Sequence, residues 1–175
     1  VSGAGDVNGD GYADVIVGAP GFDAGQTDEG AAFVFKGGPY GLADGSSASA
    51  SATIQSDQAG AALGRSVAGA GDVNGDGYSD VVVGASGYGS STGRVYLYLG
   101  ASTGLSTTAV TILTGEAAGN VFGSSVATAG DVNGDGIART VCDGDADQHE
   151  QVQHEDRSRC LHPSSRGIPE CDAGR

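Results

Sequence analysis

Methionine and tryptophan are absent from this chain of 175 residues, and no cysteine occurs before Cys142. The three cysteines, Cys142, Cys160 and Cys171, are odd in number and have no CxxC spacing, so they support neither a disulfide framework nor a zinc site. Basic residues are scarce, eight Lys and Arg against 22 Asp and Glu, which leaves a net charge of −14. Without a basic stripe to meet a phosphate backbone, nucleic acid is excluded as a partner. No run of 18 apolar residues is present, so no membrane insertion is expected. A charged segment followed by an apolar one is also missing from the start. No signal peptide is visible, and the chain reads as a mature piece or a fragment. There is no nucleophile elbow, no HExxH and no P-loop, so these residues are not expected to form an enzyme.

Glycine, by contrast, is abundant, at 33 residues, far above an average usage of roughly 7%. It follows no third-position period, which excludes collagen. Between the glycines lie short runs such as VIVGA, AAFVFK, VVVGA and RVYLYL, whose β-branched and aromatic content favours strands.

The chain repeats itself. The segment Val1–Tyr12 returns as Val67–Tyr78 and again as Val126–Ile137, at offsets of 66 and 59 residues. The likeness continues past the acidic stretch: Gly30–Phe35 answers Gly93–Tyr98, and Ala62-Leu63-Gly64 answers Val121-Phe122-Gly123. Four strands are expected in each complete unit. They lie near residues 1–5, 14–19, 31–36 and 52–55, then 66–71, 80–85, 94–99 and 109–113. Four short strands per unit of about 60 residues is the arithmetic of a propeller blade; a sandwich of repeated hairpins is the alternative. The expected fold is therefore all-β, with blades of four antiparallel strands at about residues 1–59 and 60–118 and a partial third unit, one strand, at 119–137.

Each complete unit carries the spacing D-x-N-x-D-G-x-x-D. Calcium takes six to eight oxygen ligands, and a short loop supplies them when alternate side chains face inward around a tight turn. In the first loop Asp6, Asn8, Asp10 and Asp14 are the expected side-chain ligands, with the carbonyl of Tyr12 completing the arc. In the second loop the set is Asp72, Asn74, Asp76, Asp80 and the Tyr78 carbonyl. The other reading is that these residues only form Asx turns. The third loop keeps Asp131, Asn133 and Asp135 but has Arg139 in place of the last carboxylate, so binding there is expected to be weak or lost. EF-hands and dockerin modules share the opening half of this loop, but they need a helix after it. Here DVIVGAP and DVVVGAS follow, and these are strand sequences.

These residues resemble the FG-GAP repeats found in the propellers of integrin α-subunits and in bacterial extracellular proteins. Phe122-Gly123 and the variant Leu63-Gly64 match the first named element. Gly18-Ala19-Pro20 and the variant Gly84-Ala85-Ser86 match the second. The resemblance covers about residues 1–137. It implies a β-propeller, usually seven-bladed, with calcium held between the first two strands of a blade. It also implies an extracellular or cell-surface location, further blades in the full-length protein, and adhesion to a protein or glycan. A purely structural, calcium-rigidified segment and a non-catalytic accessory region of a secreted enzyme are the other functions compatible with it.

Composition changes abruptly at residue 138. The last 38 positions hold all three Cys, all three His and five of the eight basic residues, but three of the 33 glycines. This tail is expected to be disordered or an out-of-frame translation. Asp143, Asp145 and Asp147 imitate a further acidic loop but have Gln148 at the turn position. His149, His154 and His162 match no zinc spacing.

Overall fold

The structure, a computed structural model, describes residues 1–42, 45–143 and 151–152. In the first unit the β-branched and aromatic runs become β1 (Ser2–Gly5), β2 (Asp14–Ala19), β3 (Ala31–Phe35) and β4 (Ala52–Gln55). They pair antiparallel in chain order. The second unit repeats this with β5 (Leu63–Gly71), β6 (Asp80–Ala85), β7 (Arg94–Tyr98) and β8 (Thr111–Thr114). The described residues are thus nearly all β, with each complete unit a four-stranded antiparallel sheet of the kind expected for a propeller blade.

The eight strands lie where the sequence places them, with two shifts. β5 starts at Leu63, ahead of the expected residue 66, because Leu63 pairs with Ala85 of β6 across a bulge; Leu63 also makes an isolated parallel bridge back to Gly30 of the first blade. β8 runs to Thr114, where its register against β7 pairs Thr114 with Arg94.

Strand pairing also runs past Ile137. After β9 (Ser125–Gly130) the chain forms β10 (Arg139–Asp143) and β11 (Gln151–Val152), a three-stranded sheet in the order β11-β10-β9. The third unit therefore holds more than the single strand expected for it. Arg139-Thr140-Val141-Cys142 lacks the family's acidic residue, yet its β-branched centre suits a strand. Thr140 and Cys142 are buried, and Cys142 packs with Ala68, Val82 and Val126. The sequence features noted at Asp145, Asp147, Gln148, His149, His154, His162, Cys160 and Cys171 lie outside the described residues.

The core sits between the sheets. Strand β6 is buried along its whole length because its side chains serve two interfaces in alternation, the period-two geometry of a strand. Val81 and Val83 join Ile16, Val34, Ile54 and Leu63 of the first unit and its boundary. Val82 points the other way, toward Val126 and Cys142. Burying each such side chain stabilises the fold by about 1.5–3 kcal/mol.

The two family elements touch each other across the blade boundary. A Cβ on Gly18 would lie 1.9 Å from the carbonyl oxygen of Gly64, and one on Gly84 would lie 2.0 Å from that of Gly123. The GAP glycine of one blade and the FG glycine of the next are thus a backbone-to-backbone contact that tolerates no side chain.

Candidate functional site

The acidic loops join the first two strands of each unit, and a β-bulge aims them. Gly3 pairs with Val15 and Gly5 with Asp14, which leaves Ala4 as the extra residue. The same skip recurs at Ala70, between the Gly69–Val81 and Gly71–Asp80 pairs, and at Ala129. The glycine after each extra residue has positive φ, 73° at Gly5 and Gly71 and 70° at Gly130, which a Cβ would strain. The chain leaves the sheet here and enters the loop.

Within the first loop, Asp6 gathers the turn. Its Oδ1 accepts from the Gly9 and Asp10 N–H groups at 2.7 and 3.1 Å, and its Oδ2 from Gly11 at 2.8 Å. Asp10 accepts from Tyr12 N–H at 3.0 Å and from Asn8 Nδ2 at 2.8 Å. The second loop copies these bonds around Asp72 and Asp76, and the third around Asp131 and Asp135. These are Asx-type turns. The N–H bond from Gly11, followed by those from Gly9 and Asp10, holds the Asp6 carboxyl below its ordinary range despite some desolvation. Asp131 is lowered in the same way, first by Gly136.

The last acid of the motif sits elsewhere. Asp14 is buried, with Oδ2 accepting from Val7 N–H at 2.9 Å and Oδ1 from Gly37 N–H at 2.8 Å. Asp80 repeats this with Val73 and Gly100, both at 2.8 Å. Each therefore ties its loop to the turn after the third strand. The predicted ligands fall into two groups: Asp6, Asn8 and Asp10 at the outer turn, and Asp14 at its base. Among the described residues no three carboxylate, imidazole or thiol side chains form a metal cluster by themselves. A cation in the loop would need amide and carbonyl oxygens as well, which is the mixed donor set calcium accepts.

Two observations favour a cation there. In the first loop Asn8 Oδ1 is buried without a hydrogen-bond partner inside a carboxylate-lined turn, whereas the equivalent Asn74 Oδ1 of the second loop accepts from the Asp76 N–H at 3.1 Å. In the third loop a positive group is already present. The Arg139 guanidinium donates to both oxygens of Asp135, at 2.9 and 2.6 Å, and to the carbonyl of Ile137. It also lies 3.6 Å from Asp131 Oδ1. These partners occupy the positions of Asp10, Tyr12 and Asp6 in the first loop.

Adjacent loops are joined as well. Ser79 N–H donates to the Asp6 carbonyl at 2.9 Å and Ala101 N–H to that of Val7 at 3.0 Å, while Ala138 N–H donates to the Asp72 carbonyl at 2.9 Å. The Tyr78 ring lies against Gly9, where a Cβ would come within 2.7 Å of it. Tyr96 and Tyr98 are buried and stacked at 6.3 Å as blade-packing residues, whereas Tyr12, at the head of the first loop, is 41% exposed. Sequence reasoning missed Ser79, Gly37 and Gly100. The two glycines are detectable only as a shared residue just after the third strand of each unit.

The FG-GAP repeat model matches residues 1–35 and 63–98, which hold the first two loops and the strands around them. Among curated proteins, integrin alpha-4 of Xenopus laevis is 33% identical over 139 residues, 76% of this chain and 13% of that protein. Integrin alpha-6 of Gallus gallus is 37% identical over 123 residues, 70% of this chain and 11% of that protein. Integrin alpha-7 of Rattus norvegicus is 38% identical over 133 residues, 74% of this chain and 11% of that protein. The chain thus spans roughly a tenth of the length of these relatives. The matched segments, the four-stranded blades and the glycine contact between the two named elements agree: this chain belongs to the FG-GAP repeat family.

Proposed function

We propose that this chain is a calcium-stabilised propeller segment of an extracellular or cell-surface protein, whose blades hold loops in place for adhesion to a protein or glycan. Its first two loops each take one calcium ion. Asp6, Asn8, Asp10, Asp14 and the Tyr12 carbonyl would hold the first, and Asp72, Asn74, Asp76, Asp80 and the Tyr78 carbonyl the second. The carboxylates of Asp14 and Asp80 already accept N–H groups, but each oxygen keeps a second lone pair for a cation. The observation that carries this reading is the guanidinium in the third loop, which is the same turn with a positive charge seated among the equivalent oxygens.

The bound ion would supply charge neutralisation, not chemistry. Each of the first two loops places two carboxylates at its outer turn and a third, buried one at its base; a divalent cation drawing these oxygens together would neutralise their charge, so binding and folding are linked. The segment is non-catalytic, and its partners are further blades of the full-length chain and an extracellular ligand. Integrin alpha relatives over 70–76% of the chain support the adhesive class. Among the described residues no helix is long and apolar enough to cross a membrane.

Thermal unfolding of the whole chain in calcium, magnesium and EDTA tests the ion. A midpoint raised by calcium, and not by magnesium at equal concentration, is the expected result; identical midpoints would remove calcium from the account. Binding to a matrix-protein and glycan array, lost on chelation, tests the adhesive half.

A further inference from the structure

We propose that the Arg139 guanidinium is the resident cation of the third loop, so that the β9–β10 hairpin is closed by the chain's own charge and takes no metal. The comparison with calcium rests on the function proposed for the first two loops; the internal closure does not.

The three loops differ at one decisive place. Their first six motif residues make the same turn, with Asp131 accepting from Gly134, Asp135 and Gly136 as Asp6 does from Gly9, Asp10 and Gly11. At the ninth position the first two loops have a buried acid, Asp14 and Asp80. The third has Arg139, whose side chain is 3% exposed. A guanidinium reaches back from β10 and presents two nitrogens to the two oxygens of Asp135, the fork geometry that makes such pairs strong. One of these nitrogens also donates to the Ile137 carbonyl and lies 3.6 Å from Asp131. One buried cation therefore meets the fifth-position acid, the seventh-position carbonyl and the first-position acid together.

The electrostatics agree with this geometry. The Arg139 contact, with help from Asn133, holds the Asp135 carboxyl far below the usual carboxylate range, and Asp135 in turn raises Arg139. A dication brought to these oxygens would meet a fixed positive charge and would have to displace it. Removing the arginine would strand two carboxylates beside one another. Its role differs from that of a surface ion pair, where both partners stay hydrated and little is gained.

Two measurements on the full chain decide this. In EDTA, hydrogen exchange at Gly134 and Gly136 is expected to quicken by about tenfold or more in Arg139→Gln, the loss of charge-assisted bonds that hold the turn, with Gly9 and Gly11 unchanged. Unchanged exchange at Gly134 and Gly136 would overturn the internal closure, whatever calcium does. Calcium titration by calorimetry, with terbium luminescence as a second probe, is expected to give two sites in the natural chain and three in Arg139→Asp. Three sites in the natural chain, or two in a folded Arg139→Asp, would overturn the replacement of metal by arginine. Should neither protein bind calcium, the function proposed for the first two loops fails, and the exchange result alone decides the role of Arg139.

Discussion

Asp6 and Ser79 are bonded in both directions across the boundary between two blades. The Ser79 N–H donates to the Asp6 carbonyl at 2.9 Å, and the Asp6 N–H donates to Ser79 Oγ at 3.2 Å. Asp6 is the residue whose side chain gathers the first loop, and Ser79 immediately precedes Asp80, the last acid of the second. Ordering one loop therefore bears on the next through backbone, without an intervening element.

Ser79→Ala removes the Oγ half of this exchange and keeps the backbone half. At the next boundary Ala138 stands in the equivalent place and makes the backbone bond alone, so alanine fits. The expected loss is about 1 kcal/mol in chemical denaturation, with weaker calcium binding at the first loop and unaltered binding at the second. Equal weakening at both loops would contradict a local link.

Gly84→Ala tests the contact between the two family elements. The new Cβ would lie 2.0 Å from the Gly123 carbonyl oxygen, backbone that cannot rotate away, and a cost of about 3 kcal/mol or more is expected. Gly11→Ala is the contrast, since its Cβ would meet nothing within 4 Å and only the positive φ of 88° resists it. About 1–2 kcal/mol is expected there. Denaturation midpoints of the two variants give the comparison, and equal losses would refute the steric explanation.

Burial pushes the Asp80 carboxyl up to about 6, against the N–H bonds from Val73 and Gly100, with Asp76 and Asp72 adding to the rise. The folded chain therefore holds a proton between about pH 4 and pH 6 that the unfolded chain has released. Without calcium, this group makes stability fall as pH rises through that window, by up to about 3 kcal/mol once ionisation is complete. A calcium ion bound as proposed would select the ionised form, so its presence should flatten or reverse the slope. Urea denaturation in EDTA near pH 4.5 and pH 6.5, repeated in calcium, measures both slopes. A midpoint that rises across this window in EDTA would contradict the assignment.

Most of the framework is legible in the sequence because it is written more than once. Gly30–Phe35 and Gly93–Tyr98 fix the same strand in two blades, and their agreement outweighs the ambiguity of either short run. The inward-facing acid was harder to read. Nothing in D-x-N-x-D-G-x-x-D separates Asp14, tied to Val7 and Gly37, from Asp10 at the outer turn. That difference arises only when β2 enters the sheet and carries its first residue inside. β10 was missed for a related reason. The family motif demands an acid at position 139, whereas the strand itself requires only that its inward side chains find cover, which Val82, Val95 and Leu113 provide for Cys142.

The first two loops are proposed each to hold a calcium ion through their own oxygens. Calorimetric titration of the full chain beside Asp10→Ala and Asp76→Ala tests it most directly. Two sites are expected in the natural chain, with dissociation constants of roughly 10⁻⁴–10⁻³ M as in extracellular modules, and one site in each variant. Absence of binding, or two sites of unchanged affinity in either variant, would contradict it.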